Sequence, residues 1–371
     1  MDFLIDRDVF LKALSNANGI IEKKTTFPIL SNILIEAKDN KIKITATDLD
    51  IIYFEEILPQ EIKKEGSTTT SASVLYDILR KLKSNVKVEL TLQGINKLKL
   101  TSENSKFNLL CLPPDNFPLS DEDIKQKTIE IASNKLLKLL NKTKISISND
   151  ETRHYLNGIY LHKVKSENKS FLCGVATDSH RLSSSSLEIE PDIDIESIIL
   201  PRKTIFQLIS LLEQNANTIK MSNNKSKIKF EIDKSVLISK VIDGRFPDYT
   251  KVIPKGNEKI LQIRLEEFKN SIDRVTTVSV DRKEGLRMNI SKNAVQLSVN
   301  NPSSGEGIEN ISAKFNSEDL SISFNSRYLT DIASQIENEN IVINLRDPGS
   351  PVLINDFSDK NTFHVVMPMK I

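Results

Sequence analysis

Apolar residues at helical spacing recur in six places along the chain. In three of these segments a short alternating strand runs into an amphipathic helix, and the other three have the apolar stripe of a helix. They form two sets of three, spaced by roughly 130 residues within a set. The first set covers residues 3–14, 129–140 and 261–272, and the second covers 71–82, 201–212 and 325–336. The pattern predicts three repeats, each made of two similar halves.

Helices of the second set carry apolar residues at i, i+3 and i+7, the stripe of a helix with one buried face. The matching positions are Leu75, Ile78 and Leu82, then Ile205, Leu208 and Leu212, then Leu329, Ile332 and Ile336. We therefore expect three similar domains, at residues 1–124, 125–252 and 253–371. Polar linkers are expected near 119–127 and 251–258, the second of which contains Pro254 and Gly256.

The stretches between the helices have the period of β-strands. Polar and apolar residues alternate over strand length at 41–47, 86–92, 97–101, 227–232, 294–299 and 341–345. This alternation is typical of antiparallel sheets with one buried face. The predicted class is α+β, with two short helices per domain packed on antiparallel sheets.

Composition fits a protein with several hydrophobic cores. With 371 residues and 39% hydrophobic content, two or three domains are expected. The sequence has no apolar run of transmembrane length and no N-terminal pattern of a secretory signal, so we expect a cytoplasmic location. Cys111 and Cys173 lie in separate apolar runs and are predicted to be buried, reduced thiols.

Charge is balanced overall but uneven along the chain. Lys and Arg number 51 against 50 Asp and Glu, a net charge of +1. The predicted helices are locally basic, at Lys135, Lys138, Lys142 and Lys144, at Arg80, Lys81 and Lys83, and at Arg202 and Lys203. If the helices share one face, that face is positive. The alternative is that these are ordinary solvated faces of amphipathic helices.

Catalytic and cofactor-binding patterns are absent from the sequence. It has no glycine-rich phosphate loop, and His154, His162, His180 and His364 lack metal-site spacing, so neither a cofactor nor a metal is predicted. Residues 177–181 (TDSHR) contain a serine and a histidine, but neighbouring residues of a strand point to opposite faces. We therefore expect a non-enzyme. A hydrolase acting through Asp178, Ser179 and His180 stays open as an alternative.

Four motifs in register resemble one family. They are 155–158 (YLNG), 176–182 (ATDSHRL), 241–249 (VIDGRFPDY) and 365–369 (VVMPM), accompanied by 27–30 (FPIL). Over residues 1–371 the chain resembles the bacterial DNA sliding clamps, the beta subunits of DNA polymerase III. The resemblance implies a head-to-tail homodimer, a ring whose twelve helices surround double-stranded DNA without reading its sequence. Such a ring tethers the replicative polymerase to its template, which makes synthesis processive.

The resemblance also implies partners and their binding residues. A clamp loader, the polymerase and other proteins would insert leucine and phenylalanine side chains of short motifs into an apolar cleft. The cleft residues would be Arg153, Tyr155, Leu156, Thr177, His180, Arg181, Leu182, Pro247, Val252, Asn325, Tyr328, Gly349, Pro351, Val365, Met367, Pro368 and Met369. Ser179 and Lys251 replace a glycine and an arginine that are frequent in the family.

Two further surfaces follow from the resemblance. DNA would contact Lys24, Arg80, Asn149, Tyr155 and Lys203, while Ser73 replaces a frequent arginine. The dimer interface would bring Lys106 and Phe107 against Thr277, Val278, Glu306 and Glu309 of a second copy. Because Thr277 replaces a larger aliphatic residue, we expect weaker ring closure than in a typical relative. A monomeric DNA-binding or repair scaffold of the same fold is the remaining alternative.

Overall fold

The computed structural model describes residues 1–22, 26–119, 124, 128–191, 193, 195–214, 217–279 and 285–370. Within these residues, six α-helices each follow directly on a strand, an arrangement that was predicted for three of them, in segments 3–14, 129–140 and 261–272. They are α1 (Arg7–Asn18), α2 (Ala72–Lys81), α3 (Ser133–Lys144), α4 (Arg202–Glu213), α5 (Leu265–Val275) and α6 (Ser326–Ala333). None of the described helices is long and apolar enough to cross a membrane.

Strands make up most of the remaining chain. The first repeat holds β1 (Asp2–Asp6), β2 (Asn32–Lys38), β3 (Lys41–Thr47), β4 (Ile51–Ile57), β5 (Glu61–Lys64), β6 (Gly66–Ser71), β7 (Lys87–Gln93), β8 (Lys97–Ser102) and β9 (Ser105–Leu112). The second holds β10 (Ile129–Ala132), β11 (Gly158–Ser166), β12 (Lys169–Thr177), β13 (Arg181–Ile189), β14 (Ile198–Pro201), β15 (Thr218–Asn223), β16 (Lys227–Ile232) and β17 (Ser235–Lys240). The third holds β18 (Lys259–Arg264), β19 (Gly285–Ser291), β20 (Ala294–Asn301), β21 (Gly305–Lys314), β22 (Leu320–Asn325), β23 (Asn340–Leu345), β24 (Val352–Asp356) and β25 (Asp359–Val366).

All described strand pairs are antiparallel, which confirms the predicted α+β class. One sheet has the order β10-β15-β16-β17-β4-β3-β2-β6-β9-β8-β7-β1-β5. The other has the order β14-β11-β12-β13-β25-β24-β23-β18-β21-β20-β19-β22. Every second residue of β16 is buried, and the same holds for most of β20, so these strands present one face to a hydrophobic core, whereas β3 is buried on both faces over residues 44–47.

Each sheet runs without a break from one sequence repeat into the next. In the first, β17 pairs with β4 from Ser235↔Glu55 to Ser239↔Ile51, and in the second, β13 pairs with β25. The chain accordingly packs as two compact units, residues 1–137, 193–196 and 203–241, and residues 138–192, 197–202 and 242–371. Backbone pairing across repeats is the reason that compact units and sequence repeats do not coincide. The domain limits 124 and 252 stay predictions.

Helix burial follows the predicted stripe in two helices and departs from it in α2. Ile205, Leu208 and Leu212 are buried in the region of α4, as are Leu329, Ile332 and Ile336 in the region of α6. In α2 the buried line is Ala72, Leu75 and Leu79, whereas Ile78 and Leu82 are half-buried. The buried line of α2 keeps the predicted i, i+3, i+7 spacing but starts three residues earlier, at Ala72.

The remaining local predictions have mixed outcomes. Cys111 and Cys173 are buried and unpaired, as predicted. The linker predicted at 251–258 starts with a short 3-10 helix, Tyr249–Val252, and then has no regular structure up to β18. Most of the linker predicted at 119–127 lies outside the described residues.

The predicted positive face of α3 is wrong at Lys142. Its side chain is buried, its ammonium lies 2.9 Å from a Glu337 carboxylate oxygen, and it also donates to the Gln335 carbonyl. Lys138 lies 3.1 Å from carboxylate oxygens of both Glu337 and Asp359. Lys142 holds the chain after α6 in place, because a buried ammonium needs a carboxylate partner, whereas the Lys138 side chain is 41% exposed. Of the four predicted basic positions, Lys135 remains exposed on α3.

A buried histidine gives the fold a pH dependence. His364 is 1% exposed, its Nδ1 lies 2.7 Å from the Ser183 hydroxyl, and burial lowers its pKa from 6.5 to about 3. Between these two pH values the unfolded chain carries a proton on His364 that the folded chain does not. The contribution of the neutral His364 to the free energy of unfolding is therefore fully present above about pH 6.5, and it is lost as the pH falls toward 3.

We expect the free energy of unfolding to drop by about 2 kcal/mol between pH 7 and pH 5 through His364 alone. The variant His364→Asn, which can keep the hydrogen bond to Ser183, should show a shallower dependence over this range. Urea denaturation at a series of pH values measures it, with His154→Asn at an exposed histidine as the control. A slope in His364→Asn as steep as in the unchanged protein would contradict the assignment.

Candidate functional site

A cavity of about 190 Å³ opens beside the turn between β12 and β13. Three segments form it: this turn, residues 247–252, and the end of β25 with the residue after it. Its lining residues are Thr177, Ser179, His180, Arg181, Leu182, Pro247, Asp248, Tyr249, Val252, Val365 and Met367. Eight of these were predicted as cleft residues, and Ser179, Asp248 and Tyr249 were not.

The floor of the cavity is apolar. Leu182 and Val365 are almost fully buried there and belong to a cluster with Leu156, Val175 and Phe246. Leu156, a predicted cleft residue, belongs to this buried cluster and is not among the residues that line the cavity. Met367 is half-buried and Val252 is 39% exposed, so both can contact a ligand at the opening. An apolar floor with an adaptable thioether suits side chains such as leucine.

Side chains fix the β12–β13 turn that forms one wall. Asp178 accepts hydrogen bonds from the backbone N–H groups of His180 and Arg181, and Thr177 Oγ1 accepts one from Ser179 N–H. Ser179 has φ +78°, a left-handed conformation that a glycine adopts more easily. The placement of residues 177–181 in one continuous strand is therefore wrong, because 178–180 form the turn itself.

Arg181 ties this wall to α6. Its guanidinium lies 3.1 Å from Asp178 and 2.6 Å from Asp331, and it stacks 4.4 Å over the ring of Tyr328. The Arg181 side chain is 9% exposed. Burial raises the pKa of the Tyr328 phenol, with a further contribution from the Asp178 charge. Asn325 caps α6 by accepting from Arg327 N–H.

Tyr249 forms the opposite wall and is held from behind by His162. The phenol oxygen lies 3.0 Å from His162 Nε2, and the imidazole stacks on Tyr160, which in turn stacks on Phe246. Burial lowers the pKa of His162 to about 4, so the imidazole is neutral at pH 7. The sequence signal that could have found this wall is Tyr160 and His162 on one face of β11, because alternate residues of a strand share a face.

Other predicted cleft residues lie around this cavity or in the next one. Arg153 donates to the Ser179 hydroxyl at 2.6 Å, and Met369 N–H donates to the Ser323 carbonyl. Pro351 lines a second cavity, which shares Val252 and Met367 with the first. The remaining predicted members are placed as follows: Tyr155 and Pro368 are half-buried, and Gly349 N–H donates to Asp347.

The geometry does not favour the hydrolase alternative. Asp178 is bonded to Arg181 and to backbone N–H groups, and the Ser179 hydroxyl accepts from Arg153. The His180 imidazole forms no hydrogen bond with either side chain in the described structure. In the same part of the chain, no group of three His, Cys, Asp or Glu residues is arranged to hold a metal ion.

Two of the five predicted DNA contacts, Lys203 and Arg80, are cations with a carboxylate neighbour in the described structure. Lys203 forms an ion pair with Asp48, and Glu22 lies 3.7 Å away. Arg80 is exposed and lies 3.2 Å from Asp77. Asn149 is exposed and Tyr155 is half-buried, whereas Lys24 lies outside the described residues. Paired cations leave only a weak attraction for phosphates.

The predicted interface residues lie on two strand edges. Lys106 and Phe107 are on β9, which over residues 105–110 has β8 as its one partner within the described chain. Glu306 and Glu309 are on β21, which pairs along its length with β20 and meets β18 only at Ala313 and Lys314. Sequence reasoning missed Leu110 and Ile308, which are 85% and 54% exposed on these strands.

Residues near the β21 edge are held by contacts within the chain. Glu309 accepts hydrogen bonds from the Ser271 hydroxyl and the Arg274 guanidinium, and these bonds lower its pKa. Thr277 Oγ1 donates to the Asp273 carbonyl, and Val278 packs against the hydrophobic core. Glu309 is thus less available to a second copy than the sequence suggested.

Repeated halves of strand and helix on long antiparallel sheets define the fold of the DNA clamps. Profiles of the DNA polymerase III beta subunit match the chain in order: the N-terminal domain at residues 1–121, the central domain at 130–248 and the C-terminal domain at 250–370. The chain belongs to this family, the bacterial beta sliding clamps, as its motifs predicted. It acts as a processivity clamp in DNA replication.

Individual relatives agree over the full length. The beta sliding clamp of Caulobacter vibrioides is 36% identical, and that of Escherichia coli is 29% identical, each with 100% of both chains covered. The crystal structure of the Bartonella birtlesii clamp bound to griselimycin is 37% identical with a TM-score of 0.96 and covers 100% of both chains. The crystal structure of the C. crescentus clamp has a TM-score of 0.97 at 36% identity and covers 100% of this chain and 99% of that one.

Proposed function

We propose that the cavity beside the β12–β13 turn binds short motifs of replication proteins through leucine and phenylalanine side chains. The observation that carries this proposal is the buried apolar floor of Leu182 and Val365 below an opening at Val252 and Met367. Walls held by Arg181 and Tyr249 keep the cavity formed without a ligand, which lowers the cost of ordering on binding. The relative from Bartonella birtlesii was crystallised with griselimycin, which shows that a clamp of this fold takes a ligand.

Two copies of the chain would close into a head-to-tail ring. A head-to-tail contact needs two different surfaces on each copy, and the β9 and β21 edges meet that need. The backbone groups on an exposed strand edge can pair with a strand of another copy. Such pairing would cover the side chains of Leu110 and Ile308. Double-stranded DNA would pass through the ring with weak, sequence-independent contacts.

In this function the protein tethers other enzymes and performs no catalysis of its own. The clamp loader and the polymerase would use the same cavity, and tethering raises the local concentration of polymerase at the template. Weak DNA contacts suit a ring that must slide. In a bacterium, this tethering of polymerase to DNA would take place in the cytoplasm.

The test places a charge at the opening of the cavity. Val252→Asp should raise the Kd of a fluorescent peptide containing adjacent leucine and phenylalanine by about 30-fold, because an apolar ligand group would then desolvate a carboxylate. Fluorescence polarisation measures the Kd. Val74→Asp, at an exposed valine of α2, is the matched control and should bind as the unchanged protein does. Equal Kd values for Val252→Asp and Val74→Asp, or no binding by the unchanged protein, would refute the cavity as the peptide site.

A further inference from the structure

A second, larger cavity adjoins the apolar one and has a different chemistry. It measures about 620 Å³, and its lining residues are Thr250, Lys251, Val252, Ile253, Pro254, Lys255, Asn257, Arg346, Ser350, Pro351 and Met367. Three of these are cations, Lys251, Lys255 and Arg346, and no carboxylate is among the lining residues that the structure describes. The cavity is therefore a positively charged depression next to an apolar one.

The cations differ in how far they are already neutralised. Lys251 is 80% exposed and lies 3.4 Å from Asp248, a weak surface pair. Arg346 is bonded to Asp347 and, at 2.8 Å, to the hydroxyl of Ser350. Lys255 is exposed and forms no ion pair with any residue in the described parts of the chain. At least one full positive charge thus faces the cavity without a carboxylate partner.

Arg346 is held in a fixed position. The hydroxyl of the buried Ser350 donates to Asp347 at 2.6 Å while it accepts from Arg346, and Gly349 N–H also donates to Asp347. On the other side, Asn257 donates to the carbonyls of Asn344 and Pro351, which fixes the chain between Lys255 and β18. A fixed guanidinium loses little entropy when it binds a carboxylate.

The two cavities adjoin at Val252 and Met367, which line both. A peptide whose apolar side chains fill the first cavity therefore passes these two residues when its chain continues into the second. We infer that the second cavity is a subsite for aspartate or glutamate residues that flank the apolar anchor of a partner segment. The inference rests on the proposed peptide-binding function of the first cavity and adds the chemical class of its neighbouring residues.

The physical consequence is a preference for acidic flanks that salt weakens. A carboxylate in the second cavity would pair with Lys255 and Lys251 and gain a hydrogen bond from Arg346, whereas a lysine there would meet the unpaired charge of Lys255 and the partly neutralised charges of the other two. Because these groups are largely exposed, the gain depends on ionic strength and fades as the Debye length shrinks. Apolar binding in the first cavity does not share this dependence.

The experiment compares synthetic peptides that carry the same leucine and phenylalanine pair. Two peptides have two aspartates on one flank or on the other, and their controls have asparagines in the same places. At 50 mM NaCl we expect at least one acidic peptide to bind the unchanged protein about five- to ten-fold more tightly than its asparagine control. In Lys251→Gln/Lys255→Gln that advantage should disappear while the Kd of the asparagine peptides stays the same.

Controls separate this inference from the proposal on which it rests. Lys292→Gln removes a charge from the exposed turn between β19 and β20 and should keep the acidic preference. Equal binding of acidic and asparagine peptides would overturn the subsite and leave the apolar cavity as the peptide site. An acidic preference that survives in Lys251→Gln/Lys255→Gln would also overturn it. Failure of every peptide to bind would overturn the peptide-binding function itself and the subsite with it.

Discussion

Arg181→Met is expected to lower the free energy of unfolding by about 3–5 kcal/mol, because it leaves partly buried carboxylates without their cation. In the structure one guanidinium serves Asp178 and Asp331 and covers the ring of Tyr328. The side chains of Arg181 and Asp178 are 9% and 15% exposed, so water can replace the lost partner only in part. Guanidinium chloride denaturation at pH 7 measures the change.

A matched control exists within the same site. Arg153→Met removes an arginine that also pairs with an aspartate three residues away, Asp150, but both side chains are about one-third exposed. That pair should contribute below about 1 kcal/mol. In the double variant Arg181→Met/Asp331→Asn, part of the loss should be recovered, because the uncompensated charge is removed. If Arg181→Met lowered the free energy of unfolding no more than Arg153→Met does, the role assigned to Arg181 would be wrong.

Leu110→Asp is expected to convert the proposed dimer into a monomer. Leu110 is 85% exposed on the part of β9 that has a single partner strand within the described chain, and a large aliphatic group in that position indicates a covering surface. Burial of a carboxylate in the edge contact would raise the dimer Kd by at least about 100-fold. Sedimentation velocity at micromolar concentration measures the association state.

The control for this prediction is Leu58→Asp, at another exposed leucine that lies outside β9 and β21. It should sediment as the unchanged protein does. A second readout is retention on circular plasmid DNA, which a closed ring keeps and a monomer loses. If the unchanged protein is itself monomeric and binds DNA without retention, the monomeric scaffold replaces the ring. If Leu110→Asp remains a dimer, the β9 edge is not the interface.

Sequence periodicity located the regular elements with small errors. Residues 41–47 and 227–232 were predicted as strands and are β3 and β16 with the same bounds. The strand-to-helix segments were also found, because alternation and helical spacing are local properties of the chain. The error in α2 arose from choosing Ile78 and Leu82 over Ala72 and Leu79. Alanine is a weak hydrophobic signal even when it is fully buried.

Motif resemblance identified more of the site than physical reasoning on single residues did. It singled out Leu182 together with Val365 and Met367, from two segments that are distant in sequence and meet in one cavity. It did not reveal Tyr249 as a wall, since the His162 contact joins residues far apart along the chain. Nor could it show that Lys142 is buried against Glu337. A lysine on an amphipathic helix has the same pattern whether it faces solvent or a carboxylate.

The sequence by itself determined the secondary structure, the α+β class, the threefold repeat and the family. Each of these depends on the order and period of side chains along the chain. The tertiary structure alone decided which repeats share a sheet, which cations are neutralised and where two cavities adjoin. Those features arise from pairs such as β13 with β25 and Arg181 with Asp331. The distances within such pairs are set by the packing of the whole compact unit, and no local pattern contains them.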